Sequence, residues 1–430
     1  MKKIIILATM LLAAFSTVSA QKTDSLDRFI NQAIRDGFFP GAQLVVGNKS
    51  GVIYSKNYGY MDYSKRVPVT DSTLYDLASC TKVCATTLSV MRLVDEGKLS
   101  VETPIGEILE FPDSIQFGDV KVKELLYHNS GFLAGVSVAA SLMKSAHEDI
   151  PLLARRHSAD HPHHFDTSYY TAKDIVYDSI YISKTAAADK IQISRELYLD
   201  KSYYPKLDSM VWAAYRPKQR GRHVYSDLNF YLLQQIIEKI TETSLDKYAS
   251  TIYEQMGLTN IGYKPMEWSS LDRICPTECD VMLRRDTIRG FVHDDLACVM
   301  DGVCGNAGLF STASSVAKIC GMFLRGGVDY NGERIVESES VANFSKIVRS
   351  PYNSSVYGLG FTKINSKTRP YTAESYGHSG YTGTYMWIDP TKDIYVVILT
   401  NRTYPTRTNK NFGPDFRSDM WEVAMSAFGK

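Results

Sequence analysis

The stretch Ser79-Cys80-Thr81-Lys82 opens a helical run that continues to Glu96 and stops at Gly97, a natural C-cap. A serine at a helix N-terminus has its hydroxyl beside free backbone N–H groups and the positive end of the helix dipole. Lys82, three residues on, returns to the same face about one turn later. An amine so placed can accept the serine proton, provided burial or a neighbouring cation lowers its pKa. The spacing alone is weakly specific, because Ser-x-x-Lys occurs five times, beginning at Ser19, Ser79, Ser141, Ser244 and Ser315. Ser315 also lies near a helix start and is the rival. Any single occurrence reads by default as an N-cap with a solvated lysine.

Outward from this helix, strands are predicted towards both ends of the chain. Residues 22–36 form an amphipathic helix with Leu26, Phe29, Ile30 and Ala33 on one face. The β-rich runs 42–46 and 52–60 flank Asn48-Lys49-Ser50-Gly51, a hairpin signal. Helical patterns cover 229–241, 316–323 and 416–428, and two strands, 384–388 and 394–400, are joined by Asp389-Pro390-Thr391-Lys392-Asp393. No strand–helix alternation persists long enough for a doubly wound parallel sheet. The expected class is therefore α+β: one antiparallel sheet built from both chain ends, with an inserted all-helical region. The expected division is a sheet part of about 21–78 and 325–430 and a helical part of about 79–324, in a single domain over 21–430. The least patterned stretch runs from Gly135 to Arg222.

The 430 residues carry 48 basic and 47 acidic side chains and a formal charge of +1, so no polybasic footprint for nucleic acid is present. Lys2 and Lys3, an apolar stretch from Ile4 to Phe15, and Val18-Ser19-Ala20 read as a signal peptide cleaved after Ala20. That stretch is shorter than the roughly 20 residues that span a bilayer. No later apolar run reaches membrane length, so a periplasmic or secreted protein is expected. Seven cysteines (80, 84, 275, 279, 298, 304 and 320) form no zinc pattern and read as buried structural thiols. His157, His161, His163 and His164 read as a solvated loop rather than a metal site. No cofactor or metal is expected.

Two further motifs follow the serine in order: Tyr225-Ser226-Asp227 before a helix, and His378-Ser379-Gly380 before the C-terminal strand pair. The trio resembles the serine β-lactamase and penicillin-binding-protein superfamily, whose pattern is Ser-x-x-Lys, Tyr-x-Asn, then Lys-Thr-Gly or His-x-Gly. It is most similar to the class C-like branch, which includes esterases and D-alanyl-D-alanine carboxypeptidases, and to the β-lactamase-like domain fused to some bacterial glycosidases. Phe39-Pro40-Gly41-Ala42, the run 93–99, the run 125–131, Val292-His293-Asp294 and the run 305–312 also look like that branch. The resemblance implies a β-lactamase/DD-peptidase-like fold and a serine hydrolase acting on a D-alanyl peptide, a β-lactam or a small ester.

Carried over by position, the resemblance makes Ser79 the acylated nucleophile, Lys82 its base partner and Tyr225 a proton-sharing phenol. It places the oxyanion hole at the backbone N–H groups of Ser79 and Tyr381. Gly380 suits a strand edge that approaches substrate without a side chain. Two positions depart from the pattern. Asp227 stands where Asn is usual, and an ionised carboxylate there raises the lysine pKa; its expected part is to accept hydrogen bonds from Lys82 and orient it. His378 stands where Lys is usual and lowers the fixed positive charge offered to a carboxylate-bearing substrate. His128 and His293 are expected to orient loops, and Cys80 and Cys84 to pack. These departures leave an alternative: a low-turnover penicillin- or peptidoglycan-binding or sensing module of the same fold. An α/β-hydrolase elbow at Ser379 lacks the second glycine and the parallel α/β pattern. The expected partner is a small-molecule or peptide substrate, cell-wall derived in one reading.

Overall fold

A computed structural model describes residues 23–429 apart from 167, 350–351, 353–355, 365–368 and 414. The signal-peptide expectation for 1–20 lies outside the described residues. Helix α1 covers 23–35. It leads into β1 (Gly41–Asn48) and β2 (Gly51–Gly59), the hairpin expected from the turn residues. Helices α2 (Leu88–Asp95), α3 (Asp227–Thr241), α4 (Leu245–Gln255) and α5 (Ala313–Leu324) follow. The chain then returns through β3 (Tyr376–Ser379), β4 (Tyr385–Asp389) and β5 (Ile394–Thr400), and ends in α6 (Phe416–Phe428).

These five strands form one antiparallel sheet in the order β3-β4-β5-β1-β2, so the two chain ends meet where β1 pairs with β5. Every residue of β5 is buried, because both faces of the sheet are covered. Ile394, Val396 and Ile398 pack with Leu26, Ile30, Phe416 and Trp421 under α1 and α6. The alternate residues, Tyr395, Val397 and Leu399, join the main core with Val316 and Phe323 of α5. The strand period of two thus sends successive side chains into two separate apolar layers.

The inserted part is not purely helical. Between Gly135 and Arg222 the chain forms several strands of two or three residues, among them Met143–Ser145 paired with Ile175–Tyr177, and the trio Ile182–Ser183, Lys190–Gln192 and Tyr198–Asp200. Strands this short carry too few residues for alternation to register in sequence. His163 and His164 form one of them, and His161 is buried with its Nε2 2.7 Å from the Pro151 carbonyl oxygen, so the histidine run is not a uniformly solvated loop. All seven cysteines are free; six are buried and Cys279 is exposed.

Candidate active site

The serine helix begins differently from a regular α-helix. Ala78–Cys80 is one 3₁₀ turn, Lys82–Thr87 is a π-helical segment, and regular α-geometry starts only at Leu88. Short π segments widen a helix locally and recur at functional sites. Just before the serine, Ala78 has φ 45°, a left-handed conformation that costs an alanine about 1–2 kcal/mol. Buried Asp76 holds this turn: Ala78 N–H donates to Asp76 Oδ1 at 2.8 Å, and His293 N–H donates to Asp76 Oδ2 at 2.7 Å.

This turn presents Ser79 to a cavity of about 350 Å³ whose lining includes Tyr225, Asp227, His293, Tyr381 and Arg407. Lys82 lies fully buried beneath it, and its ammonium has three acceptors: Ser79 Oγ at 3.1 Å, Asp227 Oδ1 at 2.6 Å and the Asn306 carbonyl oxygen at 3.1 Å. Burial alone lowers the Lys82 pKa, but Asp227 and Tyr225 outweigh it and hold the ammonium above its ordinary value. The Tyr225 ring centroid is 5.0 Å from Lys82 Nζ, and its phenol interacts with both Lys82 and Ser79. Burial raises the phenol pKa; Lys82 opposes that, Asp227 adds to it, and the net shift is upward. At rest the site therefore holds a charged lysine and a neutral tyrosine.

His128, just beyond a short helix (Val122–Leu126) and with φ 56°, holds its ring centroid 4.6 Å from that of Tyr225, the two planes tilted by 35°. Its Nδ1 accepts the Ser226 N–H at 3.0 Å, which fixes the turn carrying Tyr225 and Asp227. His378, the next-to-last residue of β3, has its ring 6.0 Å from that of Tyr225. Burial, reinforced by Lys82, pushes its pKa down to about 3, so the imidazole is neutral at physiological pH. His378 Nδ1 lies 2.9 Å from the Ser379 carbonyl oxygen, which requires the proton on Nδ1.

Gly380 meets a constraint other than substrate approach. A Cβ there would lie 2.0 Å from Thr384 Oγ1 and 2.4 Å from the Leu77 carbonyl oxygen, so the glycine lets the β3 end close against the serine turn. The Tyr381 N–H has no acceptor among the described residues, and its carbonyl accepts from Arg402 Nε at 2.8 Å. The rival serine is displaced from any such site: Ser315 is buried in α5, where Thr312 Oγ1 accepts its N–H, while Lys318 is exposed. A larger cavity of about 470 Å³, lined by Met266, Phe291, Val292 and Cys298 among others, contains none of the expected site residues. Among the described residues no cluster of His, Cys, Asp or Glu is arranged to hold a metal.

Asp76, Asn306, Glu278 and Arg407 were not legible as site residues. Lys82 meets a backbone carbonyl at Asn306, and Asp76 and Glu278 act on residues 217 and 15 positions away.

The family model described as Beta-lactamase matches residues 26–164 and 199–412, leaving out part of the short-stranded insertion. A protein of Salmonella gallinarum named a D-alanyl-D-alanine carboxypeptidase is 28% identical over 428 residues, covering 92% of this chain and 86% of its own. A Salmonella typhi protein of the same name is 28% identical over 429 residues, with the same shares covered. Among solved structures, the octameric penicillin-binding protein homologue from Pyrococcus abyssi superposes with a TM-score of 0.63 at 20% identity, covering 94% of this chain and 77% of that one. A family VIII carboxylesterase gives a TM-score of 0.61 at 16% identity, covering 94% and 97%. These two structural likenesses establish the fold.

Proposed function

The chain belongs to the Beta-lactamase family, and from that premise we propose that it is a serine hydrolase cleaving an amide or ester bond through an acyl-enzyme on Ser79. The observation that carries this reading is the Lys82 ammonium 3.1 Å from Ser79 Oγ, with the Tyr225 phenol against both, at the wall of an open cavity. In acylation the serine oxygen attacks the substrate carbonyl and its proton passes to the Lys82–Tyr225 pair, which must first have lost one proton to solvent; the pair hands that proton to the amine or alcohol as its bond to the carbonyl carbon breaks. The N–H groups of Ser79 and Tyr381 receive the developing oxyanion. Asp227 orients Lys82 and keeps it charged at rest.

The named activity of the Salmonella relatives makes a D-alanyl-terminated peptide the first substrate to try, with a β-lactam and a simple ester beside it. Such a peptide carries a carboxylate, and neutral His378, whose one ring proton is directed at the Ser379 carbonyl oxygen, offers it neither a charge nor a second donor. We place the protein in the periplasm or outside the cell, where cell-wall peptide is found; no described helix is long and apolar enough to cross a membrane. Incubation with a fluorophosphonate or a penicillin should add mass to Ser79 and leave Ser79→Ala unmodified. An adduct on Ser315 overturns the assignment.

A second reading, the low-turnover binding or sensing module, is favoured by the charged Lys82 and neutral Tyr225, since neither is a ready proton acceptor at rest. A chromogenic ester separates the two: an enzyme releases many equivalents of chromophore, and a sensor releases one burst.

A further inference from the structure

The cavity that holds Ser79 contains a second titratable group with its own carboxylate. His293 lines it, and His293 Nε2 lies 2.7 Å from Glu278 Oε2. Glu278 is buried and gripped by Arg407, whose Nε lies 2.8 Å from Oε1 and 2.9 Å from Oε2. Burial by itself raises the Glu278 pKa, but His293 and Arg407 together hold it down to about 2. An ionised carboxylate only accepts hydrogen bonds, so Nε2 carries a proton, and in the neutral form of the ring Nδ1 keeps a lone pair. Nδ1 has no partner among the described residues and is not sealed from solvent. The backbone of His293 is pinned to Asp76, the same carboxylate that holds the turn before Ser79, so the imidazole and the serine are positioned from one anchor.

We propose that His293, oriented by Glu278, is the proton acceptor for the water that cleaves the acyl-enzyme. The inference rests on the reading of Ser79 as the acylated residue. All three N–H bonds of the Lys82 ammonium are directed at acceptors, one of them Ser79 Oγ, which suits Lys82 to giving a proton to the departing serine oxygen. With the pair back in its resting protonation, Lys82 charged and Tyr225 neutral, the proton of the attacking water needs another acceptor. The water oxygen bonds to the acyl carbon as its proton moves to His293 Nδ1. The bond from that carbon to Ser79 Oγ breaks, and Oγ takes a proton from Lys82. The imidazolium then returns its proton through solvent to Lys82, leaving the free acid and the resting enzyme. A histidine held in one tautomer by a carboxylate is a common general base, and such bases supply roughly 10²–10⁴-fold in rate.

The test isolates the second half of the reaction. Acyl-enzyme is formed on the full-length protein with a p-nitrophenyl ester, excess ester is removed, and loss of the acyl mass from Ser79 is followed with time. In His293→Gln, whose amide can still donate to Glu278, the Ser79 adduct should form within about threefold of the wild-type rate and decay about 100-fold more slowly. In His293→Ala, added imidazole should restore part of the decay, which a merely structural role does not predict. Wild-type decay in His293→Gln overturns the proposal. So does an equal fall in adduct formation and decay, with no rescue by imidazole. Absence of any Ser79 adduct in the unmodified protein removes the acyl-enzyme reading itself, a distinct result.

Discussion

Arg417 Nη2 donates a hydrogen bond of 2.7 Å to the carbonyl oxygen of Gly380, and the same peptide unit carries the Tyr381 N–H. A cation on the carbonyl draws electron density through the amide and makes its N–H a stronger donor. Arg402 holds the other side of the residue: its Nε bonds the Tyr381 carbonyl, and its guanidinium lies 4.6 Å from the Tyr381 ring centroid. The two arginines stand close enough that their charges oppose one another. Burial first, and for Arg417 the nearby Arg402, lowers the pKa of each below the ordinary guanidinium value. The peptide proposed to receive the oxyanion is thus aimed and polarised from α6 and from the end of β5.

Replacing Arg417 should weaken that donor without removing it. Loss of a whole oxyanion donor costs about 3–4 kcal/mol, and loss of its polarisation a fraction, about 1 kcal/mol. We expect Arg417→Met to lower kcat about fivefold with KM changed less than twofold. Steady-state kinetics on an ester, with circular dichroism to verify folding, decides it. A change confined to KM contradicts the assignment.

Asp227 should set the pH at which acylation becomes efficient. It is the largest influence raising the Lys82 pKa, against a burial effect that lowers it. Removing the negative charge in Asp227→Asn lets burial dominate, so the Lys82 pKa falls and the alkaline rise in kcat/KM moves to lower pH. The stabilisation from the raised lysine pKa is complete below about pH 10 and is lost only as pH climbs through the folded value. Asn at 227 also leaves the buried ammonium without its counter-charge, at about 1–3 kcal/mol given the partial exposure of Asp227. A rate profile unmoved by the substitution would exclude control of Lys82 by this carboxylate.

The elements that could be read from sequence are those whose own residues carry the pattern. The turn Asn48–Gly51 marked the hairpin, and the unbroken apolar run of β5 marked a strand, which the structure covers on both faces. Helix α3 and helix α5 likewise announce themselves through their buried stripes. Where a distant partner decides, the pattern was silent. Strand β3 is four residues long and contains Gly377, and it exists through its pairing with β4. The α2 run was expected to be one regular helix from Ser79. Its first two turns are instead 3₁₀ and π, imposed where Asp76, Asn306 and the β3 end converge on them. In the site, Ser79, Lys82, Tyr225 and Asp227 were legible through a resemblance, and the geometry brings them together. The supports from Arg417, Glu278 and Arg407 were not, because nothing near them in the chain records what they touch.

Gly380→Ala should be severe for reasons unrelated to substrate. The added Cβ would collide with Thr384 Oγ1 and the Leu77 carbonyl oxygen, forcing β3 away from the serine turn. Overpacking of this kind costs about 1–3 kcal/mol. We expect a fall in the urea midpoint together with at least tenfold slower fluorophosphonate labelling of Ser79. Labelling at the wild-type rate would mean that β3 and the serine turn can separate without consequence.

Acid should unfold this protein earlier than its carboxylates alone dictate. Burial pushes the pKa of His378 down to about 3 and that of His223 to about 4, and holds that of His128 well below its ordinary value, with Lys82 adding to the effect on His128 and His378. For a base whose pKa is lowered on folding, the unfolded chain binds the proton first. Stability is then fully present above the unfolded value of about 6.5 and declines as pH falls towards the folded value. His128 and His378 are both deeply buried, so together they should give a slope approaching two protons, about 3 kcal/mol per pH unit, around pH 5. The half-buried His223 adds less. Glu278, held at about 2, contributes separately, and its share is lost only below about pH 4.5. Urea titrations at pH 7, 6 and 5 should show the midpoint dropping within this window, and His378→Gln should flatten the dependence by about one proton. Equal midpoints at pH 7 and 5 would mean that these imidazoles gain their protons in the folded state, and the neutral His378 that faces Tyr225 would have to be redrawn as a cation.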